Sequence, residues 1–480
     1  MSTTRSLDRE AARTRSTSFQ WPTIVLLALS GMLSSMQFTL VVPSLPSFSE
    51  TLGVAAEDAS WLVTITLLAG AVGTPVLSRM ADMYGRRRML LVALGLLVAG
   101  SLVAASGLGF AWTLAGRALQ GFAASTVPIG ISLLRDMMPA GRSGTAIAVM
   151  SATVGLGSAT GLLLSGLLSR SFGTAGIFAF SAIGGALALC GILALVRESA
   201  PYPGGRFDVL GALGLSVMLA SVLFVISKSG WWSTHPVQLT IISALGVVTA
   251  GLWFPLQLRR RNAVVDLRTA FRRPVLLTNI ATFFATTGMF ANHLLTAHEV
   301  QTPEGVGAGL ALSPLDAGLV MIPASLAMAG LSPVAGALLN RIDGRKVLAL
   351  GALVMASAFV FRLFTHGTLA TIVIGAALVG MGTALSFAAM PALVMGYSPP
   401  QDAAAANGIN SLIRAFSGAG TSAAFAFLLS GFAVSAEGSQ FLTHTGLSVA
   451  FGLMAASCAL AAVLALVLPA VRNEPERRIP

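Results

Sequence analysis

The sequence predicts an all-α polytopic membrane protein with about fourteen transmembrane helices. Composition is the first reason: 55% of the 480 residues are hydrophobic, 10% are charged and the mean hydropathy is +0.83, whereas soluble domains carry roughly 25% charged residues. The second is that apolar runs of the roughly 20 residues needed to cross a bilayer core follow one another almost without interruption. The third is the placement of charge, which falls in short loops between those runs with a basic excess on one side.

Residues 1–20 are polar and Arg-rich and read as a retained tail. The apolar run after them, from about Trp21 to Val42, is longer than a signal-peptide core and has no convincing cleavage site. Spans then begin near Trp21, Ser60, Met89, Ala111, Ser143, Thr174, Val209 and Pro236, and again near Pro274, Leu315, Val347, Thr368, Ala403 and Thr445. An even count puts both termini on one side. Placing them in the cytoplasm assigns 24 of the 29 Lys and Arg to cytoplasmic segments and leaves only Arg170 and Lys228 outside, so the chain is expected to be a multi-pass protein of the plasma or inner membrane.

The net charge of +11 implies no nucleic-acid partner, because the basic residues form neither a patch nor an aromatic-interleaved stripe. Cys190 and Cys458 both fall inside spans, without metal-ligand spacing, and read as small packing residues. The 51 glycines fit helices whose backbones approach closely. No cluster of His, Cys or acids has catalytic or metal spacing, so no enzyme activity, metal or cofactor is expected.

Ser60-Trp61-Leu62 through Gly70, followed by Ser78-Arg79-Met80-Ala81-Asp82-Met83-Tyr84-Gly85-Arg86-Arg87-Arg88, resembles the second helix and first cytoplasmic loop of the major facilitator superfamily. Leu114-Ala115-Gly116-Arg117-Ala118-Leu119-Gln120-Gly121, closing with Pro128, is similar to that family's fourth-helix motif. Gly157, Gly161 and Gly166 stand in a degraded form of its fifth-helix antiporter motif, in which Leu162 replaces a proline and Ser165 a glycine. Gly336 to Lys346 reads as a weaker second copy of the loop motif. With Phe207-Asp208 before the seventh span and Val265-Asp266 before the ninth, the resemblance points to the fourteen-helix drug:proton antiporter branch. It implies two six-helix bundles, 21–197 and 274–470, joined by a linker 198–208, two inserted helices 209–257 and a basic linker 258–273, with a tail at 471–480.

One departure stands out. The branch carries an acid in its first helix, and here the stretch reads Met36-Gln37-Phe38-Thr39, with Gln37 in the acid's place. None of the 18 Asp and Glu falls in the middle third of a span. Asp58, Glu299, Glu304 and Asp316 are the acids that could substitute from the extracellular side, and His293 beside Asn292 is another proton acceptor. Arg117 and Arg414 lie within spans, where an uncompensated cation costs at least about 2.5 kcal/mol. Their expected partners are backbone carbonyls, Gln120, Asn407, Asn410, water or an anionic substrate, and Arg362 is placed to snorkel from a helix end.

For Asp82 with Gly85, Arg86, Arg87 and Arg88 the alternatives are a cytoplasmic gate latch and plain topology-setting charge. For Arg117 and Arg414 they are structural bonding and a transport role. For Gln37, with Thr39 beside it, they are cavity lining and helix-to-helix bonding. The resemblance implies a secondary transporter exporting lipophilic or amphipathic small molecules, with protons as the coupling ion and lipid as solvent. An exporter or flippase of a lipid or organic anion, and a transporter-like sensor, are the alternatives.

Overall fold

A computed structural model of the chain describes residues 20–470, apart from 42–43, 55, 60, 138–142, 199–206, 228–233, 261–262, 264–266, 305–308, 366, 400–401 and 437–438. The two expected tails and most of the 198–208 linker lie outside the described residues. The main helices are α1 (Gln20–Met36), α2 (Trp61–Tyr84), α3 (Arg86–Ala105), α4 (Phe110–Gly121), α5 (Thr126–Met137), α6 (Ser143–Leu195) and α7 (Val209–Ser227). They continue as α8 (Pro236–Arg259), α9 (Arg273–Gln301), α10 (Ile322–Arg341), α11 (Gly344–Phe364), α12 (Leu369–Tyr397), α13 (Ala403–Phe432) and α14 (His444–Val467). Among the described residues, ten helical stretches are long and apolar enough to cross a membrane, and Trp21–Met36, Ile147–Ser158 and Val209–Val222 are shorter apolar helices.

Three details differ from the expected spans. The fourth span is two helices, α4 and α5, joined by a 3-10 turn at Phe122–Ser125. The fifth and sixth run together as α6 and part only at Gly173, whose φ of 68° and ψ of −172° break the helix where a left-handed backbone suits glycine. The segment before α14 is not simply a loop: β1 (Ala433–Ala436) pairs antiparallel with β2 (Ser439–Leu442), so the bundle carries a short hairpin.

The first amides of a helix have no partner within it, and side-chain caps satisfy them here. Ser313 and Asp316 form a capping box ahead of the short helix Pro314–Val320 that leads into α10. Asp343 caps α11, Thr368 caps α12 and Thr443 caps α14. Close packing uses glycine in matching places. A Cβ on Gly100 of α3 would lie 2.5 Å from the Gly116 carbonyl of α4, and one on Gly382 of α12 would lie 2.5 Å from the Gly351 carbonyl of α11.

The core falls into clusters that meet across the halves. One joins α1, α2, α3, α5 and α6 around Leu27, Leu90, Leu94 and Ile192 and takes in Met395 of α12 and Ala403 of α13, and a second joins α9 to α14 around Phe359, Met390 and Phe451 and takes in Ala148 of α6. A third, with Leu215, Leu219, Trp253 and Leu412, seats α7 and α8 against α2 and α13. Burial grades the helices: 72% of the apolar window of α12 is buried but only 17% of that of α8, so α12 is central and α8 is peripheral. The chain before residue 198 meets the chain after residue 273 mainly through α2 on α13 and α6 on α10.

Candidate functional site

The Arg-rich turn between α2 and α3 forms because Gly85 adopts φ 110°. A Cβ there would also come within 2.8 Å of the Glu198 carboxylate. The turn places Asp82, 2% exposed, under the first turn of α13. Its Oδ2 accepts from the Ala405 amide at 2.9 Å and its Oδ1 from the Ala404 amide at 3.3 Å. Arg86 Nη2 donates to the same Oδ1 at 3.0 Å. A carboxylate on orphan amides at the positive end of a helix is a favourable arrangement.

Around it, Arg79 pairs with Asp402 at 2.6 Å, Arg135 donates to the Met395 carbonyl at 3.3 Å and Asn407 donates to the Pro128 carbonyl at 3.3 Å. These contacts close the basic end of the molecule between α2 or α5 and α12 or α13. The expected motif therefore divides. Arg86 also pairs with Asp136 and donates to the Ser132 carbonyl at 3.1 Å. Arg87 and Arg88 instead offer their backbone amides to Glu198, at 3.0 and 3.2 Å, so they secure the start of α3 and not the contact with α13. The weaker copy of the motif stays local: Arg345 pairs with Asp343 and donates to the Leu468 carbonyl.

Deeper in the bundle, Arg117 is fully buried and donates to the carbonyls of Leu62 and Gln37, both at 2.9 Å, and to Gln120 Oε1 at 2.8 Å. Gln120 passes the chain on to Ser101 at 2.7 Å. Gln37, 1% exposed, donates to the Leu33 carbonyl at 3.0 Å and accepts from Ser181 at 3.1 Å, the helix-to-helix bonding alternative in this conformation. Thr39 donates to the Ser158 carbonyl at 2.8 Å. Nearby, Gly157 and Gly161 let α6 lie against α1, where Cβ atoms would sit 2.9 Å from Ser35 Cβ and from the Met36 carbonyl. Gly166 lies outside the described side chains, while Ser165 bonds Ser44 at 2.8 Å.

In the later helices, Arg414 donates to Asn410 Oδ1 at 3.1 Å and to Ser411 at 2.6 Å, with its guanidinium 5.2 Å from the centre of the Phe387 ring. Asn410 in turn bonds Asn279 and Thr282 of α9. Arg362 does not snorkel as expected. It is 2% exposed and makes a 2.6 Å pair with Glu299, because its stem packs against Gly375, which has no side chain to exclude it. Asn292 is one of its partners, at 2.9 Å, whereas His293 turns back on the Met289 carbonyl at 2.8 Å.

The sequence reading missed Asp136, Glu198, Asp402, Asn279 and the role of Glu299 as a buried partner. The available signal was an acid or amide at a helix end next to an unpaired arginine, and it does not say which arginine it meets.

A multi-pass helical bundle with buried arginines, locked at one end by a carboxylate on a helix terminus, has the make of a membrane carrier. A model of the Major Facilitator Superfamily matches residues 27–301 and 275–480. The chain is 30% identical over 416 residues to the multidrug resistance protein Stp of Mycobacterium tuberculosis, covering 85% of this chain and 74% of that protein. It is 28% identical over 403 residues to the methyl viologen resistance protein SmvA of Salmonella typhimurium, covering 82% and 79%. The human organic anion transporter MFSD10 shares the fold, with a TM-score of 0.66 over 93% of this chain and 99% of that one at 18% identity. The chain belongs to the major facilitator superfamily.

Proposed function

We propose that the protein is a secondary active exporter of amphipathic or lipophilic compounds, driven by proton entry and working by alternating access. The two six-helix bundles 21–197 and 274–470 rock about a site between them, and the inserted pair 209–257 rides on α2 and α13. The observation that carries this reading is the Asp82 carboxylate on the α13 terminus: with Arg86 it ties the chain before residue 198 to the chain after residue 273 by ionic and backbone bonds at the basic end. Similarity to proteins named for multidrug and methyl viologen resistance supports a drug-like cargo. The basic excess of the loops supports a cytoplasmic side for both termini and the latch, and in this reading the structure is the state closed to the cytoplasm. No catalytic step and no cofactor are invoked.

A second reading, export of an organic anion or lipid, is favoured by Arg414, whose partners among the described residues are neutral oxygens and an aromatic face. Inverted vesicles separate the two. Ethidium accumulation driven by an imposed pH gradient, and at least tenfold lower for Asp82→Asn, is the expected result. Gradient-driven uptake of carboxyfluorescein without ethidium uptake would replace the drug reading by the anion one.

A further inference from the structure

We infer that Glu299, held by Arg362, is the group that takes up and releases the coupling proton, an assignment that rests on the proton-driven reading above. The ion pairs of Arg79 with Asp402, Arg86 with Asp82 and Asp136, Arg88 with Glu198, Arg260 with Asp208 and Arg345 with Asp343 lie at the basic end. Arg362 and Glu299 lie near the opposite ends of α11 and α9, with side chains 2% and 1% exposed. Of the four acids able to replace the missing first-helix carboxylate, Asp58 and Glu304 are exposed and Asp316 is engaged in its capping box. Glu299 alone of these is buried.

The surroundings of Arg362 allow the carboxylate to change charge. Its Nη1 donates to Asn292 Oδ1 and Thr296 Oγ1, both at 2.9 Å, and its guanidinium lies 4.6 Å from the centre of the Phe451 ring. Neutralising Glu299 therefore leaves the arginine with two hydrogen bonds and a cation–π contact. Arg117 shows that this chain keeps a buried arginine on neutral oxygens alone. An ionisable pair inside a membrane span is otherwise a costly feature to keep.

Other ionisable groups on the packed elements are engaged elsewhere or distant. His298 accepts the Leu442 amide at 2.8 Å between Phe425 and Phe441, and His293 bonds Met289. Arg414 is held by Asn410, and Arg345, Lys346, Tyr397 and Arg273 lie toward the basic end. Cys458 of α14 packs at Gly288, three turns before Glu299, and His444 opens α14. A mechanical route to the latch also exists. The helix α9 is continuous from Glu299 to Asn279, a rise of about 30 Å, and Asn279 bonds Asn410 of α13, whose first turn sits on Asp82.

The test uses purified full-length protein in proteoliposomes, comparing ethidium accumulation under a pH gradient with ethidium counterflow at equal pH. For Glu299→Gln the expected result is at least a tenfold loss of gradient-driven accumulation, with counterflow within about threefold of wild type and no longer dependent on pH. Glu299→Asp should restore part of the driven uptake. Driven accumulation retained in Glu299→Gln overturns the assignment alone, as does loss of both activities with Arg362→Gln/Glu299→Gln, which removes both charges and would show a structural role. Wild-type counterflow without any response to the gradient overturns the proton-driven reading itself.

Discussion

Arg117, Arg362 and Arg414 each keep a buried charge by different means: carbonyls and an amide, an acid with neutral support, and neutral side chains with an aromatic face. Arg117→Ala would take the guanidinium donor from the Gln37 carbonyl and from Gln120 Oε1, while the Leu62 carbonyl keeps the Thr66 hydroxyl. An unsatisfied buried group costs about 1–3 kcal/mol, so this variant should unfold at a lower temperature in detergent, and Arg117→Lys should recover little because one ammonium cannot reproduce the planar fork. An unchanged melting temperature for Arg117→Ala would show that water replaces the guanidinium. The burial of Arg117 and its bond to Gln120 were legible from a polar pair three residues apart in an apolar run. That Arg362 has an acid was not, because Glu299 stands 63 residues away on another helix.

At the scale of the helix, hydrophobic runs located the starts of most long helices to within a few residues, since the length of an apolar stretch is a local property, but they overran the end of α1 at Met36 and passed over the short helix Leu45–Leu52. What runs could not show is how the helices are segmented, as in the 3-10 turn between α4 and α5, or that a hairpin precedes α14. Glycine count suggested close packing without saying which pairs touch. Gly100 and Gly116 do, across α3 and α4. Gly100→Leu is expected to push the two helices apart at an overpacking cost of about 1–3 kcal/mol, seen as a smaller monodisperse fraction on size-exclusion chromatography, whereas Gly452→Leu, in open space on α14, should be neutral. Equal yields for the two would remove the packing argument.

At the scale of the molecule, the contacts of Asp82 and Asp402 close the basic end, and the proposed rocking would require that end to open. Ser78 Cβ would lie 2.8 Å from a Cβ on Gly408, nearer than the roughly 3.8 Å of a disulfide, so a slight parting of α2 and α13 would let cysteines there join. In a Cys190→Ser/Cys458→Ser background, oxidised Ser78→Cys/Gly408→Cys protein should lose transport almost completely and regain it with reductant. Undiminished transport in fully cross-linked protein would show that this end does not open. The loop motif made Asp82 recognisable, but its receptor, the amides of Ala404 and Ala405, lies 322 and 323 residues further on and no spacing could point to it.

By itself the sequence determined membrane residence, the positions of the helices, the family resemblance and the loss of the first-helix acid, because each follows from local composition or a short run of residues read against a single solvent. Only the tertiary structure decided that Asp82 caps α13, that Arg87 and Arg88 belong to Glu198, that Gln37 is bonded shut and that Glu299 is buried against Arg362. Those outcomes depend on which of many similar apolar helices pack together, and in lipid that choice rests on close-fitting small residues and on pairing buried polar groups, neither of which leaves a periodic mark on the chain.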